Sequence, residues 1–272
     1  MTSSNFSRRG FLTAASATAG LAGMLETGKS ETGKKKTILF VGAHDDDCEY
    51  GAGGLMLKAV KAGLRVVAVQ AVGDYSNYPP AHGIEAQFME GVRRIAREAG
   101  VEKIIFDYKI HQVPVDVEIK TRIARIVADI EPDIAAFPYE QDYWTDHANT
   151  ARAAKDGIMF AHGYLGRAVK TPSVILGYPT GNNQTHDFQP DTFVDITGEI
   201  DRLAWMLGEL DGLLSNGPKY EALLTFPGSG KRIDLTGHAY AALASAKYWG
   251  TRCGVGYAEA YRTVRTLPRD PW

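Results

Sequence analysis

His44, Asp45, Asp46 and Asp47 form an unbroken run, with Cys48 and Glu49 directly behind it. A histidine followed within three residues by carboxylates offers one ring nitrogen and one carboxylate oxygen to a metal ion. It leaves a second carboxylate free to act on a water molecule. Further along the chain, Asp142-Tyr143-Trp144-Thr145-Asp146-His147 supplies a second imidazole among carboxylates. His44, one carboxylate of the first run and His147 would make three protein ligands and leave a position for water. That count suits a catalytic zinc better than a structural one. It suits a two-His-one-carboxylate ferrous site equally well.

Taken alone, the acidic run reads as a solvated turn, and its setting argues otherwise. Thr37–Val41 is a continuous apolar stretch, expected to be a buried strand, and Leu55–Val60 has the apolar spacing of a helix stopped by Gly63. Gly51, Gly53 and Gly54 are expected to let the chain turn closely from that strand into that helix. Strand signals recur at 65–72, 103–106 and 133–137, separated by helical faces such as Ile84-Phe88-Val92-Ile95 and Ile119-Ile123-Ile126-Val127-Ile130. Alternating elements with near-continuous apolar strands imply a parallel sheet covered on both faces. Right-handed crossovers then give a Rossmann-like three-layer α/β sandwich. Both candidate metal loops would lie at carboxyl ends of strands, where open α/β sheets bind ligands. Thr145 or Asp146 is expected to cap the Ala-rich helix that runs towards His162. The C-terminal third carries strand candidates at 173–176 and 192–196. It also carries a helix after Thr197 whose core face holds Ile200, Leu203, Ala204, Leu207 and Leu210, ending near Asn216-Gly217. The expectation is one domain over 36–272, a mostly parallel sheet plus a C-terminal elaboration.

The chain has 272 residues, of which 44% are hydrophobic and 23% charged, which is enough to bury a core; the net charge is -2. No basic surplus exists to neutralise phosphates, so nucleic acid is not an expected partner. Cys48 and Cys253 are too few for a disulfide framework. Residues 1–35 differ from the rest. Ser7-Arg8-Arg9-Gly10-Phe11-Leu12, the small-residue apolar run to Met24 and the polar linker after it resemble a twin-arginine export signal. The expected location is therefore periplasmic or otherwise extracytoplasmic, with a membrane involved only through that signal.

His44-Asp45-Asp46-Asp47-Cys48-Glu49-Tyr50-Gly51-Ala52-Gly53-Gly54 resembles the His-Pro-Asp-Asp-x-Glu-x-Gly-x-Gly-Gly signature of the PIG-L/LmbE-like metal-dependent deacetylases. Asp45 stands where that family has Pro. The segment 142–147 is similar to the family's Asp-Tyr-His-Pro-Asp-His, and Phe188–Thr197 and Gly256–Tyr261 resemble its later motifs. The resemblance implies an LmbE-like fold and hydrolysis of N-acetyl or related N-acyl groups on amino sugars or their conjugates. It implies His44, Asp47 and His147 as ligands to Zn2+, with Fe2+ or another divalent metal as alternatives. It also implies Asp46 as general base towards the attacking water and Asp146 as the residue that orients the apparatus. Trp144 stands where many members have a His, and an indole can donate an N–H bond but cannot transfer a proton. His186, in a polar Gly-containing segment, is the candidate replacement acid. The expected partner is an N-acetylated amino sugar or glycoconjugate, with homo-oligomer formation left open. The alternative is an exported carbohydrate-binding protein that keeps the metal site without turnover. A nucleotide-binding domain built on Gly51-Ala52-Gly53-Gly54 is disfavoured, because the spacing is wrong and the acidic run would repel phosphates.

Overall fold

The computed structural model describes Leu25 and residues 33–181, 184–214, 219–220 and 235–266. The candidate export signal and the segment around Asn216-Gly217 lie outside the described residues, apart from Leu25 and residues 33–35. The elements in order are β1 (Thr37–Gly42), α1 (Asp47–Lys61), β2 (Arg65–Asp74), α2 (Glu85–Ala99), β3 (Glu102–Lys109), α3 (Val117–Ile130), β4 (Ile134–Pro138), α4 (Thr145–Met159), α5 (Ala161–Leu165), β5 (Val174–Tyr178), β6 (Thr192–Asp195), α6 (Ile200–Leu213), β7 (Lys219–Tyr220), β8 (Leu235–Thr236), α7 (Gly237–Cys253) and β9 (Ala258–Thr266).

Seven strands form one sheet in the order β3-β2-β1-β4-β5-β9-β6. The pairs among β1 to β5 are parallel, whereas β9 runs antiparallel to both β5 and β6. The expected strands are all present, each within a few residues of its expected bounds. Alternate residues of β1 enter opposite cores: Ile38 and Phe40 pack with α1, α6 and α7, while Leu39 and Val41 pack with α3, α4 and α5. From β1 the chain moves outward to β2 and β3, then returns across the sheet to β4. The strand order therefore reverses between β1 and β4, and a crevice opens at their carboxyl ends.

Three expectations need correction. The helix after β1 begins at Asp47 rather than near Leu55, so Gly51, Gly53 and Gly54 lie inside α1 and not in a turn. Close packing is the reason. A Cβ on Gly51 would come within 2.3 Å of the Pro179 carbonyl and the Tyr178 ring, and one on Gly54 within 2.7 Å of Ile196. Thr197 is not the cap of the helix it precedes. It begins a short 3₁₀ turn, and Glu199 occupies the cap position of α6, although the expected core face is buried as read. The Ala-rich helix α4 is capped at Trp144, because the Asp146 carboxylate is used elsewhere, and it stops at Met159 before α5.

The C-terminal elaboration continues the same sheet and reaches back to the first helix. Glu259 on β9 is buried. It accepts from the N–H groups of Gly54 (2.6 Å) and Leu55 (2.8 Å) in α1 and from the Tyr261 hydroxyl (2.6 Å). Burial pushes its carboxyl up to about 7 even though all three donors favour the ion. Glu259→Ala would leave these buried donors unsatisfied at roughly 1–3 kcal/mol each, less whatever water repays. We expect a net loss of roughly 3 kcal/mol, read as a drop in Tm of about 6–12 °C. An unchanged Tm would show that Glu259 does not hold α1.

Candidate metal centre

The loop after β1 and the start of α4 bring His44, Asp47 and His147 together, all at most 6% exposed. His44 Nδ1 lies 2.9 Å from His147 Nε2, His147 Nε2 lies 3.1 Å from Asp47 Oδ1, and His44 Nδ1 lies 3.9 Å from the same oxygen. Zinc ligands bound at about 2.0–2.1 Å in a tetrahedron stand roughly 3.3 Å apart, so the three edges match an ion at their centre. Among the described residues, this is the His/Asp group whose ligand atoms converge.

Every other polar atom of the triad is committed. Asp47 Oδ2 accepts from the N–H groups of Ala43 (2.7 Å) and His44 (2.9 Å), which leaves Oδ1 for an ion. His44 Nε2 faces Asp146 Oδ2 at 3.1 Å, and His147 Nδ1 faces Asp142 Oδ1 at 3.1 Å. These carboxylates fix the ring tautomers by hydrogen bonding, and they present Nδ1 of His44 and Nε2 of His147 inward. Both are held in turn. Asp146 accepts from the N–H groups of His111 (2.6 Å) and Val113 (3.1 Å), and Asp142 accepts from the hydroxyls of Thr180 (2.6 Å) and Thr185 (3.0 Å). Asp146, expected to orient the apparatus, contacts His44 directly. Asp142 plays the matching part for His147 and was not assigned from sequence, although it lies in the same quoted segment.

Asp45 turns away from the triad. Its Oδ1 accepts from the Tyr75 hydroxyl at 2.8 Å, and its carbonyl accepts from Lys103 Nζ at 2.5 Å. Lys103 also pairs with Glu49 at 2.8 Å, with both side chains under 5% exposed. Lys103 and Tyr75 carry no sequence signal of their own; only the pairing of β2 and β3 beside β1 brings them here. Asp46 is half-buried and lines a cavity of about 850 Å³ with His44, Asp47, Trp144 and His147. Burial first, then the neighbouring charges of Asp45 and Asp47, push its carboxyl well above the usual range. Trp144 stacks on His147 (5.5 Å between ring centres) and meets His44 edge-on (5.1 Å). His186 does not line the cavity: its ring lies against Tyr143 and its Nδ1 faces Asp187 at 3.2 Å. His238, on α7, does line it, a placement with no local sequence signal.

Burial disfavours charge on both imidazoles, but the carboxylates outweigh it. Asp146 and Asp47 push His44 up to about 9, and Asp47 and Asp142 push His147 up to about 10. A cation between the facing nitrogens satisfies the same carboxylates that otherwise hold protons there. An incoming metal must therefore displace protons at neutral pH. Metal affinity is expected to rise with pH up to about 10, with proton release on binding. Calorimetry in buffers of different ionisation enthalpy measures this, and pH-independent binding would contradict it. Asp142→Asn is expected to weaken metal binding roughly 10–100-fold while leaving the fold intact, as measured by competition with a chelator.

A family model described as PIG-L: GlcNAc-PI de-N-acetylase matches residues 39–158. A diacetylchitobiose deacetylase from Thermococcus kodakarensis is 26% identical over 137 residues, 46% of this chain and 50% of that protein. The chain thus spans about half the length of the curated relatives it matches. The N,N'-diacetylchitobiose deacetylase from Pyrococcus horikoshii superposes with a TM-score of 0.62 at 22% identity, covering 87% of both chains. The 4-carboxy-2-hydroxymuconate hydratase GalB from Pseudomonas putida KT2440 superposes with a TM-score of 0.64 at 20% identity, covering 87% of this chain and 98% of that one. At such identities the superpositions speak for the fold, which therefore does not by itself choose a reaction. The sequence match is more specific: across residues 39–158 the chain carries a domain of the PIG-L (GlcNAc-PI de-N-acetylase) family, and that domain holds the whole ligand triad.

Proposed function

We propose that this protein is a metal-dependent hydrolase that removes N-acetyl or related N-acyl groups from amino sugars or their conjugates. The observation that carries this reading is the convergence of His44 Nδ1, Asp47 Oδ1 and His147 Nε2 beside a further carboxylate, Asp46, in the same cavity. The family domain and the deacetylases among the relatives support it. Those three atoms would hold the metal, zinc being our choice. A bound divalent ion supplies Lewis-acid polarisation of the amide carbonyl and lowers the pKa of water.

The chain's own residues do the rest. Asp46 takes a proton from the water that attacks the acyl carbon, and burial with the neighbouring charges of Asp45 and Asp47 raises its affinity for that proton. The C–N bond then breaks, acetate leaves, and Asp46 returns the proton to the departing amine nitrogen. Asp146 and Asp142 keep the two imidazoles in register. Trp144 walls the cavity against both histidines and transfers no proton, so Asp46 serves in both directions.

A binding protein without turnover is the second reading, favoured by the indole in a place where the family has an imidazole. Acetate release from N-acetylglucosamine and its oligomers by the metal-loaded protein separates the two. Asp46→Asn should retain metal and lose roughly 10³-fold in kcat. Full activity in that variant would remove Asp46 from the mechanism. No acetate from a folded, metal-bearing wild type would favour the binding protein.

A further inference from the structure

Beside the cavity, on its outer rim, two aromatic side chains are stacked. Tyr143 is 73% exposed, and one face of its ring lies against the His186 imidazole, 4.7 Å away with a tilt of 33°. The pair is built rather than incidental. The Tyr143 N–H donates to the Gln184 carbonyl (3.1 Å), and the His186 N–H donates to the Gln141 carbonyl (3.0 Å). A bridge between Asp142 and Thr185 closes the two segments together. Asp187 adopts a left-handed backbone (φ 53°), which asparagine and aspartate enter more readily than most residues. Its carboxylate faces His186 Nδ1 at 3.2 Å.

This platform is continuous with the metal site. Trp144 and Gln184, which flank it in sequence and by hydrogen bond, both line the cavity. Tyr143 lies two residues before the first turn of α4, which carries His147. The only ring contact of Tyr143 among the described residues is with His186. A flat ring with one apolar face and a polar edge fits the C–H face of a pyranose, whose hydroxyls stay in water. We infer that Tyr143, backed by His186, is an outer subsite that stacks a further sugar ring of an oligosaccharide or glycoconjugate whose N-acylated residue sits at the metal. The inference rests on the amino-sugar reading above and gives His186 a role other than acid.

The test measures binding separately from turnover. In the Asp46→Asn background, the affinities of metal-loaded protein for N-acetylglucosamine and for its tetramer are compared by calorimetry, with and without Tyr143→Ala and Tyr143→Phe. The expected result is that Tyr143→Ala lowers the tetramer-to-monomer affinity ratio roughly five- to tenfold. Tyr143→Phe, which keeps the ring, should preserve that ratio. An unchanged ratio in Tyr143→Ala, an equal loss for both sugars, or no preference for the tetramer in the parent overturns the subsite. Acetate release by wild type is scored in parallel. If the ratio behaves as expected but no acetate is released, the subsite stands and the hydrolase reading falls.

Discussion

Two imidazoles and a carboxylate face one another within 2.9–3.9 Å in a buried crevice, and the surrounding structure is arranged to hold them there. Burying such groups is unfavourable unless each remaining lone pair and proton has a partner. Asp146, Asp142 and the N–H groups of Ala43 and His44 meet that requirement. Backbone amides at 111 and 113 and the hydroxyls of Thr180 and Thr185 then satisfy the outer carboxylates. The inward atoms are what this shell leaves over, and they are the ones a metal needs.

The same constraint governs the packing of α1, which carries Asp47 at its start. To bring that helix against β5, β9 and α6, the residues at 51, 53 and 54 must lack side chains. Glu259, from the last strand of the sheet, fastens the helix by two backbone N–H groups. Thr180 and Glu259 both lie beyond the matched segment 39–158. The ligands belong to the family domain, but their support is completed by the C-terminal part of the chain.

Trp144 changes the distribution of labour within that frame. Its indole packs on both histidines and shields them, yet it has no proton to exchange. In the proposed mechanism proton transfer falls to Asp46, whose environment of burial and like charges raises its affinity for a proton. Nearby, Asp45 uses its N–H and its carboxylate on the same Tyr75 hydroxyl, and the proline of the family signature could make neither contact.

The spacing of the His/Asp runs and the apolar periodicity were enough to read the α/β class, the strands from β1 to β6 and the placement of both metal loops at carboxyl ends of strands. These are local properties: a buried parallel strand needs a continuous apolar run, and a ligand loop needs its donors close in sequence. His44, Asp47 and His147 were named together only through the family resemblance, since residue types alone left the choice among three adjacent aspartates open. Tertiary structure made that choice by turning Asp45 to Tyr75, Asp46 to the cavity and Asp47 to His147. It also enlisted Asp142, Thr180, Lys103 and Glu259, set His186 against Tyr143 and started α1 at Asp47, ahead of its glycines. These depend on which strands become neighbours and which backbones approach within contact distance. Partners brought together across a sheet leave no periodic trace in a chain, because the requirement they meet, satisfaction of buried charge, exists only once the chain is folded.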